Sequence, residues 1–508
     1  MQKVSLVNRT VAKQCDTLLR GKLVLFVFLL IATAGIALYY GVIDLPLRVD
    51  NQHYFYMSER VASGVSPYTS HFDPKHALSM FLTGAAIFVG RTIGISDIAS
   101  ARLLSLFILA VSIWLIWILT YHLTKSPRAA VLACLAMFTF SGYIYMGVIG
   151  SRPKVFMVLF MLSTMIFFNQ GKLFWSGVSA SLAFLCWQPA LLMMGTLVFV
   201  LLLHQKRFYK ISCALLGATL PLLVYQLYFV ITDSLKEQLT QTYYFPAKFM
   251  VNNFSGFLTS LKELVNIWEH GFGTFNILPL ICAFGVLSYS VSIFRKGRIR
   301  SLFANIDPGW LYVSLCMLGC FTFTFYEHQG YPDIFFVLPF IAIISAYSLG
   351  LLIENMSRFR NLVYGLIVSY LMVLIVYIPS RYHSQFTLAD QLQLASEVRQ
   401  MLDNNETVYA IGCTHLLAFN SSENWMKYGF FFRGVNEFIA DETGVDTFMP
   451  VKEGTMPSII LLSRRPPRGS KNWLDSLYIN LTTSEFKHQK IRVFKLNKQE
   501  KIGHGDKN

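Results

Sequence analysis

"LVLFVFLLIATAGIALYYGVI" (23–43) carries no charge. It runs almost directly into "RVDNQHYFYMSERVASGVSPYTSHFDPKH" (48–76), which holds two Asp, one Glu, two Arg, one Lys and three His. The first stretch is long enough, as a helix, to cross a hydrocarbon core of roughly 30 Å. It is too long for a signal-peptide core and lacks a small-residue cleavage site, so it reads as a retained span. What gathers so many ionisable groups where a first helix leaves the bilayer is a question of function.

The same contrast runs through the chain. Of 508 residues 54% are hydrophobic and 14% charged, with a mean hydropathy of +0.48. Soluble proteins carry about 25% charged residues. Apolar runs of span length recur, which predicts a polytopic α-helical membrane protein. The net charge of +15 requires no nucleic-acid partner, because Lys and Arg flanking cytoplasmic loops account for it. Cys134, Cys186, Cys213, Cys282, Cys316 and Cys320 lie in apolar runs, Cys15 in the basic tail and Cys413 alone in the polar C-terminal region. That scatter suits packing residues rather than a disulfide framework or a metal cluster.

Positive charge sets the orientation. Lys3, Arg9, Lys13, Arg20 and Lys22 keep the N-terminus in the cytoplasm. "TKSPR" (124–128), "HQKRFYK" (204–210), "RKGRIR" (295–300) and "SRFR" (357–360) all fall inside if eleven spans are threaded. These are 23–43, 102–121, 129–149, 154–169, 173–187, 190–204, 210–231, 273–294, 309–326, 334–353 and 362–379. The run "ALSMFLTGAAIFVG" (77–90) is short for a span and is expected to be re-entrant or interfacial. The expected organisation is a cytoplasmic tail (1–22), a transmembrane module (23–379) with long outer loops 44–101 and 232–272, and an extracytoplasmic domain (380–508).

That last region changes composition. "TLADQLQLASEVRQML" (387–402) has helical apolar spacing and a capping-box start. "TVYAIG" (407–412), "SIILLS" (458–463) and "IRVFKL" (491–496) read as strands, giving a small α/β domain. No internal repeat is visible, which counts against a transporter or flippase of lipid-linked glycans, the alternative class. A non-catalytic scaffold is the third class.

Order within the first outer loop is more informative than charge. Asp50 follows the span closely. "HYFYMSERVASG" then suggests an amphipathic helix, with aromatics on the bilayer surface and Glu59 and Arg60 toward water. Here the chain resembles the integral-membrane glycosyltransferases of the C superfamily. The resemblance rests on Asp50-Asn51, "HYFYMSERVASGVSPY" (53–68), "DPKHALSMFLTGAAIFVG" (73–90), "ISDIASARLLS" (95–105) and the late "YEHQGYPDIFFVLPFIAIISA" (326–346). It is similar in order and spacing to protein O-mannosyltransferases and lipid A aminoarabinose transferases alike.

The resemblance implies transfer of a sugar from a dolichyl- or undecaprenyl-phosphate donor to an acceptor hydroxyl on the outer face. The partners implied are the lipid-linked donor, a glycan, lipid or protein acceptor, and membrane lipids. The expected location is a bacterial or archaeal cell membrane rather than the endoplasmic reticulum. Asp50 is implied as general base, which must reach the hydroxyl and be ionised; the alternative is a helix cap near Gln52. Lys75, Arg102, Arg152 and Lys154 are the candidate partners of the leaving phosphate, although Arg152 and Lys154 could equally be snorkelling flanks. His53, Asp73, His76, His328 and Tyr331 are possible acceptor or cavity residues. Glu327 and Asp333 read as ordinary turn residues, and Trp187 as interfacial. The sequence departs from the family pattern at four positions. Asn51 replaces a commoner Glu, His76 a Pro, and Gln188 a frequent Lys, while Lys154 stands about where many members have an Asp. The last removes a possible metal ligand, so no cofactor is expected.

Overall fold

The computed structural model describes residues 23–497 apart from 49, 206–207, 251–267, 296–305, 327–329, 378–385, 403–405, 445–447, 453–454, 464–466, 484–485 and 488–489. The basic N-terminal tail, much of the second outer loop and His328 therefore lie outside the described residues. The chain is largely helical, with one small sheet.

The apolar part comprises α1 (Leu23–Tyr39), α2 (Asp50–Ala62), α3 (Leu78–Thr92), α4 (Asp97–Thr124), α5 (Pro127–Thr139), α6 (Ser141–Ile149), α7 (Pro153–Asn169), α8 (Leu173–Cys186), α9 (Leu191–Gln205) and α10 (Phe208–Ile231). The short helices α11 (Leu235–Leu239) and α12 (Phe245–Phe249) follow. Then come α13 (Leu278–Arg295), α14 (Pro308–Tyr326), α15 (Leu338–Asn355) and α16 (Arg360–Val376). Starts and stops follow from local chemistry. Ser96 and Ser126 accept from the amides of Ala99 and Ala129 to cap α4 and α5. Pro127 and Pro153 open α5 and α7, where an amide would be unpaired anyway.

Among the described residues α4, α10 and α15 are each long and apolar enough to cross a bilayer. The pair α5–α6, bent by 68°, passes the same test together, and eight further apolar helices are shorter. Each expected span falls on one of these helices. α4 lies centrally, against α3, α5, α6 and α7, while α7, α8 and α10 pack side by side and α9 packs on α14. α3 has only 15 residues. It lies so close to α2 that a Cβ on Gly84 would meet the Ser58 carbonyl oxygen at 2.9 Å.

One expectation is overturned. α2 is not an interfacial helix with a wet face: Tyr54, Phe55, Tyr56, Met57 and Glu59 are all buried. It is sandwiched between α3 and the tail helix α18 (His415–Phe419). Glu59 points inward to a partner, accepting from Arg91 at 2.8 Å, so its charge never needed water.

The tail comprises α17 (Leu388–Gln400), α18, α19 (Val435–Thr443), α20 (Ser470–Leu477) and the strands β1 (Val408–Ile411), β2 (Ile459–Leu462), β3 (Tyr478–Asn480) and β4 (Arg492–Leu496). Thr387 and Asp390 form the expected capping box of α17. The sheet order is β1-β2-β4-β3, with β1–β2 parallel and the other two pairs antiparallel. Alternation sorts its side chains into two cores. Val408, Ala410, Ile459, Leu461 and Val493 join the core that continues into the helical module. Tyr409, Ile411, Ile460, Leu462 and Phe494 join an aromatic core with Phe72 and Phe245 from the outer loops. The outer edge of β1 is occupied: Asn424 makes two hydrogen bonds with Ala410, and the Trp425 amide donates to Val408. This places the following residues, Phe430–Phe432, beside the helical module.

Candidate active site

A cavity of about 1930 Å³ opens where the two parts meet. Pockets for drug-sized ligands span roughly 300–1,000 Å³, so this one has room for a much longer molecule. Its polar end is lined by Asp50, Lys75, Arg152, Lys154, Gln188 and Asp333. Its apolar end runs between α9 and α14, past Leu191, Leu192, Gly195, Phe199, Leu318 and Gly319. Leu191, Phe199 and Leu318 are largely exposed, so this part is an open groove on the side of the helices. A Cβ on Gly195 would meet nothing within 4 Å, and one on Gly319 would touch only Leu192; the groove is hollow at both glycines.

Asp50 is the first residue of α2. It is therefore not the cap of a helix beginning near Gln52. Its carboxylate is about one-third exposed and faces Arg152, Oδ2 to Nη2 being 3.6 Å. Arg152 is buried and donates through Nε to Asn51 Oδ1 at 3.0 Å. Gly150, with φ of 154°, ends α6 and turns the chain so that Arg152 and Lys154 reach the cavity. Lys154 pairs with Asp333, and its Nζ sits 4.4 Å from the centre of the Trp187 ring. Trp187 is thus a cavity wall and not an interfacial anchor. Removing one member of a buried pair of this kind typically costs about 3–5 kcal/mol.

Lys75 is held by its backbone. Its amide donates to Asp73 Oδ1 at 2.7 Å, and its carbonyl accepts from the Tyr68 hydroxyl at 2.7 Å. Gln188 donates to the Pro74 carbonyl, and Gln241 accepts from the Asp73 amide. Nζ lies 5.4 Å from the Tyr54 ring centre. Burial disfavours the Lys75 ammonium, yet Tyr54, Asp73 and Asp50 together hold its pKa above the ordinary lysine value.

Asp73, His53 and His76 do not line the cavity; they stand behind its wall. His53 Nε2 is 3.3 Å from Asp73 Oδ2, and its ring stacks on Phe430 at 5.7 Å. Burial raises the Asp73 carboxyl, but Lys75 and His53 outweigh it and hold it below the usual range. His76 is enclosed by Phe184, Tyr225 and Tyr243. Burial pushes its pKa down to about 3, so it cannot serve as a phosphate cation. Tyr331 lines the cavity beside Asp333.

Arg102 is a correction. It lines no part of the cavity. Its guanidinium donates to the carbonyls of Val42, Ile43, Leu45 and Ile149. Charge-assisted bonds to those exposed helix-end carbonyls consume its donors, and they lock the segment that leads to Asp50. From the other side Gln391 of α17 both accepts from and donates to the Leu47 backbone, at 2.8 and 2.9 Å. The sequence reading missed Gln391, Asp333 and the Phe430–Phe432 wall as site-building residues. Asp333 carried a signal, a carboxylate after a proline in an otherwise apolar run; the other two carried none.

Residues 64–227 match the family model for DolP-mannose mannosyltransferase. No curated protein matches the sequence. Among solved structures, ArnT from Cupriavidus metallidurans bound to undecaprenyl phosphate is similar at 12% identity and a TM-score of 0.62, over 93% of this chain and 98% of that one. The oligosaccharyltransferase AglB from Archaeoglobus fulgidus, in complex with an inhibitory peptide and a dolichol-phosphate, is similar at 11% identity and a TM-score of 0.53, over 86% and 69%. The chain shares its fold with these two proteins. The matched family segment contains Lys75, Arg152 and Lys154, and Asp50 lies just before it.

Proposed function

We propose that this protein transfers a sugar from a polyprenyl-phosphate donor to an acceptor hydroxyl at the outer face of its membrane. The observation that carries the reading is one cavity in which two carboxylates and three cations adjoin an open apolar groove. A sugar phosphate on an isoprenoid chain has the same division. The chain would lie between α9 and α14, and the phosphate would meet Lys75 and Arg152, with Lys154 behind them. Asp50 would take the proton of the acceptor hydroxyl. The lipids held by the similar structures, undecaprenyl phosphate and dolichol-phosphate, support an undecaprenyl- or dolichyl-phosphate sugar, hexose or pentose, as donor class. The acceptor class is a glycan, lipid or protein hydroxyl.

Eleven crossings, with α3 excluded and the tail domain outside, belong to the same reading, because the site then opens at the face opposite the basic loops. A bacterial or archaeal cell membrane is the proposed location. The reading needs no divalent cation. Arg152 and Lys154 supply positive charge beside Asp50 and Asp333, and among the described residues no group of three His, Cys, Asp or Glu side chains is placed to hold a metal.

The test is purified protein supplied with radiolabelled undecaprenyl- and dolichyl-phosphate sugars, with and without an acceptor extract. Acceptor-dependent release of the lipid phosphate, unchanged by EDTA, is expected. Absence of release with every donor would reject the reading, and loss in EDTA restored by Mg²⁺ or Mn²⁺ would reject its metal-free form.

A further inference from the structure

The described residues lining the cavity include three cations, Lys75, Arg152 and Lys154, and two carboxylates, Asp50 and Asp333. With both carboxylates ionised they carry one net positive charge. That charge suits the donor of the proposed function, on which this inference rests, because a sugar phosphodiester carries one negative charge.

Transfer changes the phosphate. The bond between the sugar anomeric carbon and the phosphate oxygen breaks, and its electron pair leaves with the phosphate. The acceptor oxygen bonds to the anomeric carbon, and its proton passes to Asp50. The phosphate, now a monoester, gains one negative charge while Asp50 loses one. Total charge in the cavity is conserved only while that proton stays there, shared between Asp50 and the more basic phosphate monoester. An ionised Asp50 would compete with the product for Arg152, which it already faces at 3.6 Å. Like charges sharing one site disfavour double ionisation.

The groups around Asp50 offer no substitute proton. Arg152 is a permanent cation. The carboxylates of Asp73 and Asp50 favour the charged form of Lys75. Burial raises the Tyr54 hydroxyl far beyond the working range. Lys154 is committed to Asp333.

We infer that polyprenyl phosphate is bound together with one proton, shared between Asp50 and the phosphate across Arg152, and that release of the lipid phosphate returns that proton to water and leaves Asp50 ionised. The one-third exposure of the Asp50 side chain provides the route. Arg152 is the shared element, turning from the carboxylate to the phosphate and back once per cycle.

The test is equilibrium binding of undecaprenyl phosphate, in detergent and without acceptor, to the full-length protein and to Asp50→Asn and Asp50→Ala between pH 6 and 8.5. The second ionisation of the lipid phosphate, near pH 6, affects all three proteins alike. At pH 8 both variants, unable to carry the negative charge, are expected to bind about tenfold tighter than wild type and to show a shallower fall with pH. Calorimetry in buffers of different ionisation heat should show proton uptake in wild type exceeding that in either variant. Equal affinity and equal proton uptake in all three proteins would overturn the coupling. Tighter binding by Asn alone would also overturn it, since an amide hydrogen bond would then be the cause. Failure of all three to bind the lipid would instead reject the proposed donor site.

Discussion

Asp50 begins α2 and does not cap it, and this separates its two conceivable jobs. Asp50→Asn keeps the shape and the hydrogen bonding while losing basicity, so turnover should fall by about 10²–10⁴-fold with thermal stability retained. Lys75→Ala should instead weaken donor binding, because it removes a phosphate partner; single-turnover and binding measurements separate the two. Full activity in Asp50→Asn would reject the general-base role. A second residue-scale expectation concerns stability. Burial lowers the pKa of His71, His76 and His415 to about 3, whereas the unfolded chain accepts these protons below about 6.5. Stability from these groups is therefore complete above pH 6.5 and is lost as pH falls, by about 1.4 kcal/mol per unit for each histidine. The melting temperature should drop between pH 7 and 5, and His76→Phe should remove part of that drop. A melting temperature flat over this interval would contradict the buried neutral state. Asp50 and Lys75 were legible through the order of motifs that the sequence shares with the C-superfamily glycosyltransferases, and Arg152 and Lys154 as cations between two apolar runs; all four line the cavity. That Arg102 serves backbone carbonyls and Lys154 serves Asp333 depends on partners 47–60 and 179 positions away, a distance no local pattern spans.

At the scale of elements, periodicity and punctuation located every long helix, since a bilayer-length apolar run admits little else. They misjudged α2, whose charged residues looked destined for water. Glu59 is paired with Arg91, and Arg60 is buried near Glu423, partners from other elements that let an amphipathic pattern become a core helix. The pair α9–α14 carries the clearest element-scale prediction. Its groove is hollow because Gly195 and Gly319 have no side chains, and a Cβ would meet nothing at the first and only Leu192 at the second. Gly319→Leu or Gly195→Leu would place several methylene-sized groups there, each equivalent to about 0.8 kcal/mol of apolar contact. Affinity for a full-length polyprenyl donor should fall about tenfold or more, while a short-chain, water-soluble donor analogue should be used as before. Equal loss with both donors would show that the leucine distorts the polar end and that the groove does not hold the chain.

For the whole molecule, the agreement between basic clusters and helix order makes the topology testable. A reporter fused near residue 400 that works only outside the cytoplasm should be active, and one fused near residue 125 should not. The reverse pattern would invert the membrane and detach the site from the outer face. The tail was legible as helix plus three strands, because short apolar runs such as Val408–Ile411 and Ile459–Leu462 stand between polar stretches. Its union with the rest was not, because the two faces of the sheet look equally apolar in sequence. Only packing assigns one face to the core of the helical module and the other to Phe72 and Phe245.

The strand order has a consequence for biosynthesis. β4, made last of the four strands, is not an edge strand; it is inserted between β2 and β3. The aromatic wall at Phe430–Phe432 precedes it in the chain, yet the sheet that backs that wall has an open slot until Arg492–Leu496 has emerged. Membrane insertion of the helices can therefore finish well before the chamber closes. A nascent chain short of residue 492 holds all the proposed spans and the aromatic wall, but a sheet in which β2 and β3 have not yet been joined.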